Sequence, residues 1–242
     1  ICLGSDIIMC LDDCIKYPAS REHAKEALEL TTRWAKRCDI ALQKGIASLD
    51  LTVSMPPSLF GIVQGGMFKD LRKRSAENLS EISFNGYAIG GLSVGEPKEI
   101  MLEIADFTLP ILPDHKPKYI MGTGTPEDLV ELVALGADMF DCVIPTRNAR
   151  NGQMFTKKGA INICNARFKY DTQPIEPGCA CYTCQHYSRA YLRHLYMAKE
   201  LLAYRLNTIH NIYFYMKLME HMRMAICRNE FDEFRKAFYE VM

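Results

Sequence analysis

Missing from these 242 residues is any apolar run near the roughly 18 that a membrane-spanning helix needs, and no secretory leader is visible. Net charge is also missing, with 29 Lys and Arg against 29 Asp and Glu. No Gly-x-Gly-x-x-Gly segment and no Walker loop occurs, which counts against a doubly wound nucleotide-binding sheet. Neither an internal repeat nor a low-complexity tract is present, which leaves out solenoids and disordered linkers. What remains is globular material, 48% hydrophobic and 24% charged. That is enough chain for one large domain, or one domain with an insertion.

The zero balance hides a segregation. Residues 1–141 hold 14 Lys and Arg against 21 Asp and Glu, whereas residues 142–228 hold 13 against 4. A basic second half of this kind suits a polyanion-binding face. The 10 cysteines are no disulfide framework. Cys2, Cys10, Cys14, Cys38, Cys142, Cys164 and Cys227 are scattered through apolar segments, as free thiols of a reducing compartment are. The other three form Cys179-Ala-Cys181-Tyr-Thr-Cys184.

Taken in order, Asp6 to Asp12 reads as a short buried strand ending in the acids Asp12 and Asp13. Ser20 fits an N-cap, and Ala24, Ala27, Leu28, Leu30 and Ala35 recur at helical spacing to about Leu42. A loop from Gly45 to Pro57 leads to a strand, Leu59 to Gln64. Lys69 to Leu79 reads as a helix, and Tyr87 to Ile89 as a strand running into Gly90-Gly91. Glu99 to Phe107 is a helix stopped by Pro110. Tyr119 to Met121 is a strand ending at Gly122, and Pro126 to Leu135 a helix with Pro at its start. The apolar run Met139 to Ile144 is the next strand, stopped by Pro145, which cannot donate to a ladder.

Strands alternating with helices call for a parallel sheet. Each strand ends at a residue that can do chemistry or approach a ligand: Asp12, Gln64, Gly90-Gly91, Gly122 and Asp141. Function gathered at successive strand ends marks an α/β TIM (β/α)8 barrel, with its first three strands upstream of Ile1. Beyond Asp141, Arg147 and Arg150 stand among the turn residues Asn148, Asn151 and Gly152. A carboxylate beside two guanidinium forks points to chemistry on a phosphorylated polymer. Gln153 to Cys164 then reads as a β-hairpin, and helices are expected over Ser188 to Tyr204, Thr208 to Arg228 and Phe231 to Tyr239.

Three thiols spaced Cys-x-Cys-x-x-Cys cannot all pair with one another, and they suit one structural, tetrahedral Zn²⁺. The candidates for a fourth ligand are His186, His194, His210 and His221. His186 would be cramped. His210 is favoured, because it comes after a helix-start signal at Asn207-Thr208, where a helix end could swing back onto the hairpin.

Together these residues resemble a queuine tRNA-ribosyltransferase, that is, a tRNA-guanine transglycosylase of bacterial type. The likeness covers essentially the whole chain. It is densest at Phe60-Gly-Ile-Val-Gln-Gly65, Gly86 to Glu96, Asp138 to Gly152, the cysteine cluster and Leu206-Asn-Thr-Ile-His-Asn211. The resemblance implies exchange of guanine at the tRNA wobble position for a 7-deazaguanine, prequeuosine-1, in queuosine biosynthesis. It makes Asp141 the nucleophile of a covalent intermediate and Asp12, Gln64, Gly91 and Leu92 the base-binding set, with Met121 on the base plane. Arg147 and Arg150 would bind the anticodon loop, and Cys179, Cys181, Cys184 and His210 the zinc. Tyr187, Tyr191 and His194, spaced along one helix face, fall at a homodimer contact. The resemblance further implies a cytoplasmic protein with residues 1–144 in the barrel, 145–206 in a zinc-binding, tRNA-contacting insertion, and 207–242 as helices packing on both.

Two departures matter. The family's second catalytic aspartate and the aromatic residue that sandwiches the base would lie upstream of Ile1, so these residues alone are expected to be inactive. Val94 and Cys14 resemble the bacterial pattern, whereas the eukaryotic members that accept bulkier queuine carry glycine at the position of Val94, so the resemblance implies prequeuosine-1. Two readings compete: the family's accessory subunit, a zinc-bearing tRNA-binding partner without the nucleophile, against which the presence of Asp12 and Asp141 counts, and a zinc-stabilised RNA-binding module without catalysis.

Overall fold

The computed structural model describes residues 4–48 and 56–241; Cys2 and most of the loop expected before Pro57 lie outside them. The chain divides into two compact units, Ile1–Asp141 and Cys142–Met242. The first unit contains strands β1 (Ile7–Met9), β2 (Ser58–Val63), β3 (Gly86–Ile89), β4 (Lys118–Ile120) and β5 (Met139–Phe140). Helices α1 (Arg21–Ser48), α2 (Lys69–Ser80), α3 (Lys98–Thr108) and α4 (Pro126–Ala134) alternate with them. All four pairings are parallel, with Ile8 opposite Leu59, Ile62 opposite Ala88, Ile89 opposite Ile120, and Ile120 opposite Phe140. Each strand neighbours the next in sequence. The sheet is therefore wound in one direction, without the reversal point of a doubly wound fold, and it fits part of a (β/α)8 barrel.

Burial depends on position in the sheet. β2 and β3 are buried almost throughout, as central parallel strands covered by helices must be. β1 was expected to be buried, but Ile7 is 43% exposed, because among the described residues this strand pairs only with β2. The core packs Leu59, Ile62, Val63 and Ile89 against Ala76, Leu79, Ile104 and Leu132. The helices start where the sequence signals them. Ser20 Oγ accepts from the His23 N–H at 3.2 Å, and Thr125 and Asp128 close a capping box on α4. α1 runs past its expected end near Leu42, so Gly45 is helical and does not open the loop.

In the second unit the elements are α5 (Ile144–Arg150), β6 (Gln153–Thr156), β7 (Gly159–Asn162), α6 (Tyr182–His186), α7 (Arg189–Met197), α8 (Leu201–Cys227) and α9 (Phe231–Val241). The hairpin β6–β7 forms as expected, with Met154 opposite Ile161. Two expectations fail. Pro145 does not stop a strand: β5 ends at Phe140, and Pro145 sits in the first turn of α5, where its missing N–H leaves no intrahelical bond unmade. Arg147 and Arg150 consequently lie on a helix and not on a turn. The helical break also falls elsewhere. A continuous helix was expected from Ser188 to Tyr204 and a new start at Thr208, but α7 stops at Met197 and α8 runs unbroken through Asn207-Thr208. Lys199 adopts φ 60°, with its N–H on the Tyr196 carbonyl and that of Glu200 on the Leu195 carbonyl. This is a Schellman closure with lysine where glycine is usual.

Candidate active site and metal centre

Every expected site residue of the first unit lies just past the carboxyl end of a strand: Asp12 after β1, Gln64 after β2, Gly91 and Leu92 after β3, Met121 after β4 and Asp141 after β5. Asp12 is exposed, Gln64 and Leu92 are buried, and Met121 is half-buried. Gln64 Nε2 donates to Asp12 Oδ2 at 2.7 Å, joining the first two of these residues. Its Oε1 is buried without a hydrogen-bond partner among the described residues, the kind of orphaned acceptor that calls for a donor. Gly91 has φ +65°, and a Cβ there would stand 2.7 Å from Gln64 Oε1. Only glycine combines that backbone with that approach. Beyond it, the Glu96 carboxylate accepts the backbone N–H groups of Ser93 and Val94, at 2.5 and 2.9 Å, and shapes the loop after β3.

Asp141 is exposed, but one of its oxygens is fixed. Oδ1 accepts the Tyr119 hydroxyl at 2.6 Å and the Gly122 N–H at 2.8 Å. Burial, and then the neighbouring carboxylate, push the Tyr119 phenol above its ordinary range, so it remains a donor at neutral pH. Among the described residues no hydrogen bond falls on Oδ2. A carboxylate held by one oxygen and open at the other has the geometry of a positioned nucleophile.

Sequence reading missed Arg72. In Lys69-Asp-Leu-Arg-Lys-Arg74 it looks like one of several solvated cations, yet it is wholly buried. Its Nε donates to the Gly66 carbonyl at 2.8 Å, Nη1 to those of Val63 and Gly90 at 2.9 and 2.7 Å, and Nη2 to that of Gly91 at 3.3 Å. One guanidinium thus ties the ends of β2 and β3 together beneath Gln64 and Gly91. Burial lowers its pKa only to about 10, so it stays charged at neutral pH. The signal was present: Arg72, Ser75, Ala76 and Leu79 share one helix face, and all are buried. Arg72→Met in the full-length protein is expected to destabilise it by about 3 kcal/mol or more, because the bonded carbonyls lose a charged donor. A lower urea midpoint at unchanged slope checks this.

In the second unit, Cys179, Cys181, Cys184 and His210 bring their ligand atoms within 4.8 Å of one another and could hold a metal ion. His210 Nδ1 lies 4.0, 3.5 and 3.4 Å from the three sulfurs in turn. A tetrahedral ion with ordinary bond lengths sets such edges at roughly 3.5 Å, so the donor set fits. His210 Nε2 bonds the Phe155 carbonyl at 2.8 Å; as the donor there it leaves Nδ1 as the lone pair facing the thiols. Without an ion, burial would depress this ring, but hydrogen bonding to Cys179, Cys181 and Phe155 outweighs it and raises the pKa to about 9, so a metal would bind Nδ1 in place of a proton. Cys181, Cys184 and His210 are buried and Cys179 half-buried, which makes the site closed. His186, His194 and His221 are exposed and stand outside the cluster. His210 was expected just past a helix start, but it is set deep within α8, with its whole side chain held on the buried face.

None of the nine described cysteines forms a disulfide among the described residues. Arg147 and Arg150 are exposed on α5, and neither makes an ion pair among the described residues. Tyr187 and Tyr191 stack at 5.5 Å, although Tyr187 lies outside α7, so only Tyr191 and His194 share that helix. No helix among the described residues is long and apolar enough to cross a membrane.

A singly wound parallel sheet with carboxylates at its strand ends, in a chain that also holds a Cys₃His cluster, defines an α/β protein with a second unit whose donor set could hold a metal ion. The family described as queuine tRNA-ribosyltransferase matches residues 2–242, and the chain belongs to that family. It is 58% identical over 238 residues to the queuine tRNA-ribosyltransferase of Desulforapulum autotrophicum, covering 98% of this chain and 62% of the relative. It is 58% identical over 240 residues to that of Desulfosudis oleivorans, covering 98% and 60%. To that of Francisella tularensis subsp. novicida it is 54% identical over 236 residues, covering 98% and 62%. The chain thus spans about three fifths of the length of these curated relatives.

Proposed function

We propose that these residues form the nucleophile, part of the base site and the tRNA-contacting unit of a tRNA-guanine transglycosylase acting in queuosine biosynthesis. The observation that carries this is Asp141, pinned at Oδ1 by Tyr119 and Gly122 and open at Oδ2. In this reading an Asp141 oxygen bonds the ribose C1′ at the wobble position while the C1′–N9 bond breaks, and guanine leaves with a proton. The incoming prequeuosine-1 gives up its N9 proton, bonds C1′ and displaces the carboxylate. Two displacements retain the configuration, as in retaining glycosidases. Asp12 and Gln64 offer acceptors to the base edge, Gly91 and Leu92 backbone groups, and Met121 a soft face for the ring. The base must leave the anticodon stack to reach them.

Arg147 and Arg150 would grip anticodon-loop phosphates, in keeping with the basic balance of residues 142–228. The ion at the Cys₃His cluster would be a structural Zn²⁺, since four protein ligands leave no open position. Tyr191 and His194, beside the stacked Tyr187, would supply a homodimer contact, and the free thiols fit the cytoplasm.

The test is base exchange by the full-length protein. Labelled guanine is expected to enter tRNA, and a denaturation-resistant tRNA–protein band to form. Tight tRNA binding with neither label nor band would sink the enzyme reading and favour a zinc-stabilised RNA-binding module.

A further inference from the structure

The segment Leu206 to Asn211 turns three polar side chains, Asn207, His210 and Asn211, into the interior, all with no solvent exposure. His210 belongs to the metal cluster. The two asparagines serve α5 and the hairpin. Asn211 Nδ2 donates to the carbonyls of Pro145 and Gln153, at 2.9 and 3.0 Å, and its Oδ1 accepts the Phe155 N–H at 3.1 Å. Asn207 Nδ2 donates to the Ala149 carbonyl at 3.3 Å. From α7, the Tyr196 hydroxyl reaches the Arg150 carbonyl at 3.3 Å.

A seven-residue helix does not hold itself in water, because nucleation costs more than so few bonds return. Its orientation comes from what grips it, and here the grip falls on carbonyls at both ends of α5. That helix carries Arg147 and Arg150. A guanidinium recognises phosphate through a fixed fork, so its worth depends on aim. A flexible arginine would not need three side chains gripping its backbone.

We propose that Asn207 and Asn211 are positioning residues for Arg147 and Arg150, and that the stretch of α8 which supplies His210 to the metal cluster also aims the phosphate-binding pair. This rests on the reading that the two arginines contact tRNA. It assigns the asparagines a role in tRNA affinity and not in bond breaking.

The experiment measures tRNA binding by the full-length protein across a salt series, with metal content checked for every variant. Asn211→Leu keeps the size and removes the polar groups. Asn207→Leu is milder, since it removes one hydrogen bond together with an acceptor, Oδ1, that has no partner among the described residues. Each is expected to raise Kd and the KM for tRNA by about tenfold, with kcat changed less than about twofold. The slope of log K against log salt should fall by about 1, as when roughly one phosphate contact is lost. In an Arg147→Ala/Arg150→Ala background the same substitutions should add less than about twofold, because they act through side chains no longer there. Equal weakening with and without the arginines, or an unchanged salt slope, would overturn the proposal while leaving the arginines as tRNA ligands. If the arginine pair itself leaves tRNA binding unchanged, the phosphate reading falls and the positioning role falls with it.

Discussion

Asp141→Asn in the full-length protein is expected to lower base exchange by at least about 10³-fold and to abolish the covalent band. A carboxamide is nearly the same shape as a carboxylate but is a far poorer nucleophile. The substitution should cost little else. Tyr119 and Gly122 both donate to Oδ1, and an amide oxygen accepts from the same donors. The side chain is exposed, so the change in stability should stay within about 0.5 kcal/mol. tRNA affinity should hold within about threefold, since a nucleophile contributes mainly once bonds reorganise. Quench-and-gel analysis alongside filter binding separates the two quantities. A band that persists in Asp141→Asn would move the nucleophile elsewhere, and joint loss of binding and exchange would make Asp141 a binding residue first.

How far this site could be read from sequence depended on whether a residue's environment is local. The placement of Gln64, Gly91 and Asp141 at strand ends was legible because the parallel sheet has a short-range code: buried apolar runs end where glycine or a polar residue takes over. The cysteine spacing was legible for the same reason, since three ligands fall on one tight turn. Arg72 was not, because its partners come from residues 63 to 91 and only the fold brings those carbonyls to it.

Pro145 and Lys199 misled for a different reason. Proline breaks a ladder but also suits a helix's first turn, and the choice between the two is made by the packing of α5 on α8 rather than by Pro145 itself. The break after α7 uses a left-handed lysine, which forgoes the glycine that would have marked it. Asn207-Thr208 looks like a cap because both residue types cap helices. Asn207 instead spends its side chain on the Ala149 carbonyl, a bond that helix propensity cannot foresee.

Removing the metal should have the largest effect on the second unit. Cys181 and Cys184 belong to its hydrophobic core, with Met154, Ile163, Phe168, Leu192 and Leu206. That core therefore closes around the ligands themselves. His210 joins the cluster to the hairpin through the Phe155 carbonyl, so an ion held there would fix α6, α8 and β6 together. A structural Zn²⁺ contributes apparent binding energies of about 10–16 kcal/mol in small zinc domains. A whole domain is stable by only about 5–15 kcal/mol. The share of an ion held there would then be as large as the net stability, and without it the Cys184 thiol, pushed up by the neighbouring Cys181 and by burial, would take up a proton. His210→Ala and Cys184→Ser should each lose the metal and most of the near-ultraviolet circular dichroism of residues 142–242, together with tRNA binding. Chelation should release about one equivalent of metal in step with unfolding, and faster in acid, where protons compete for the thiolates and the imidazole. A metal-stripped protein that kept its tertiary signal and bound tRNA at full affinity would show that the packing of α8 on α5 and β6 stands without the ion.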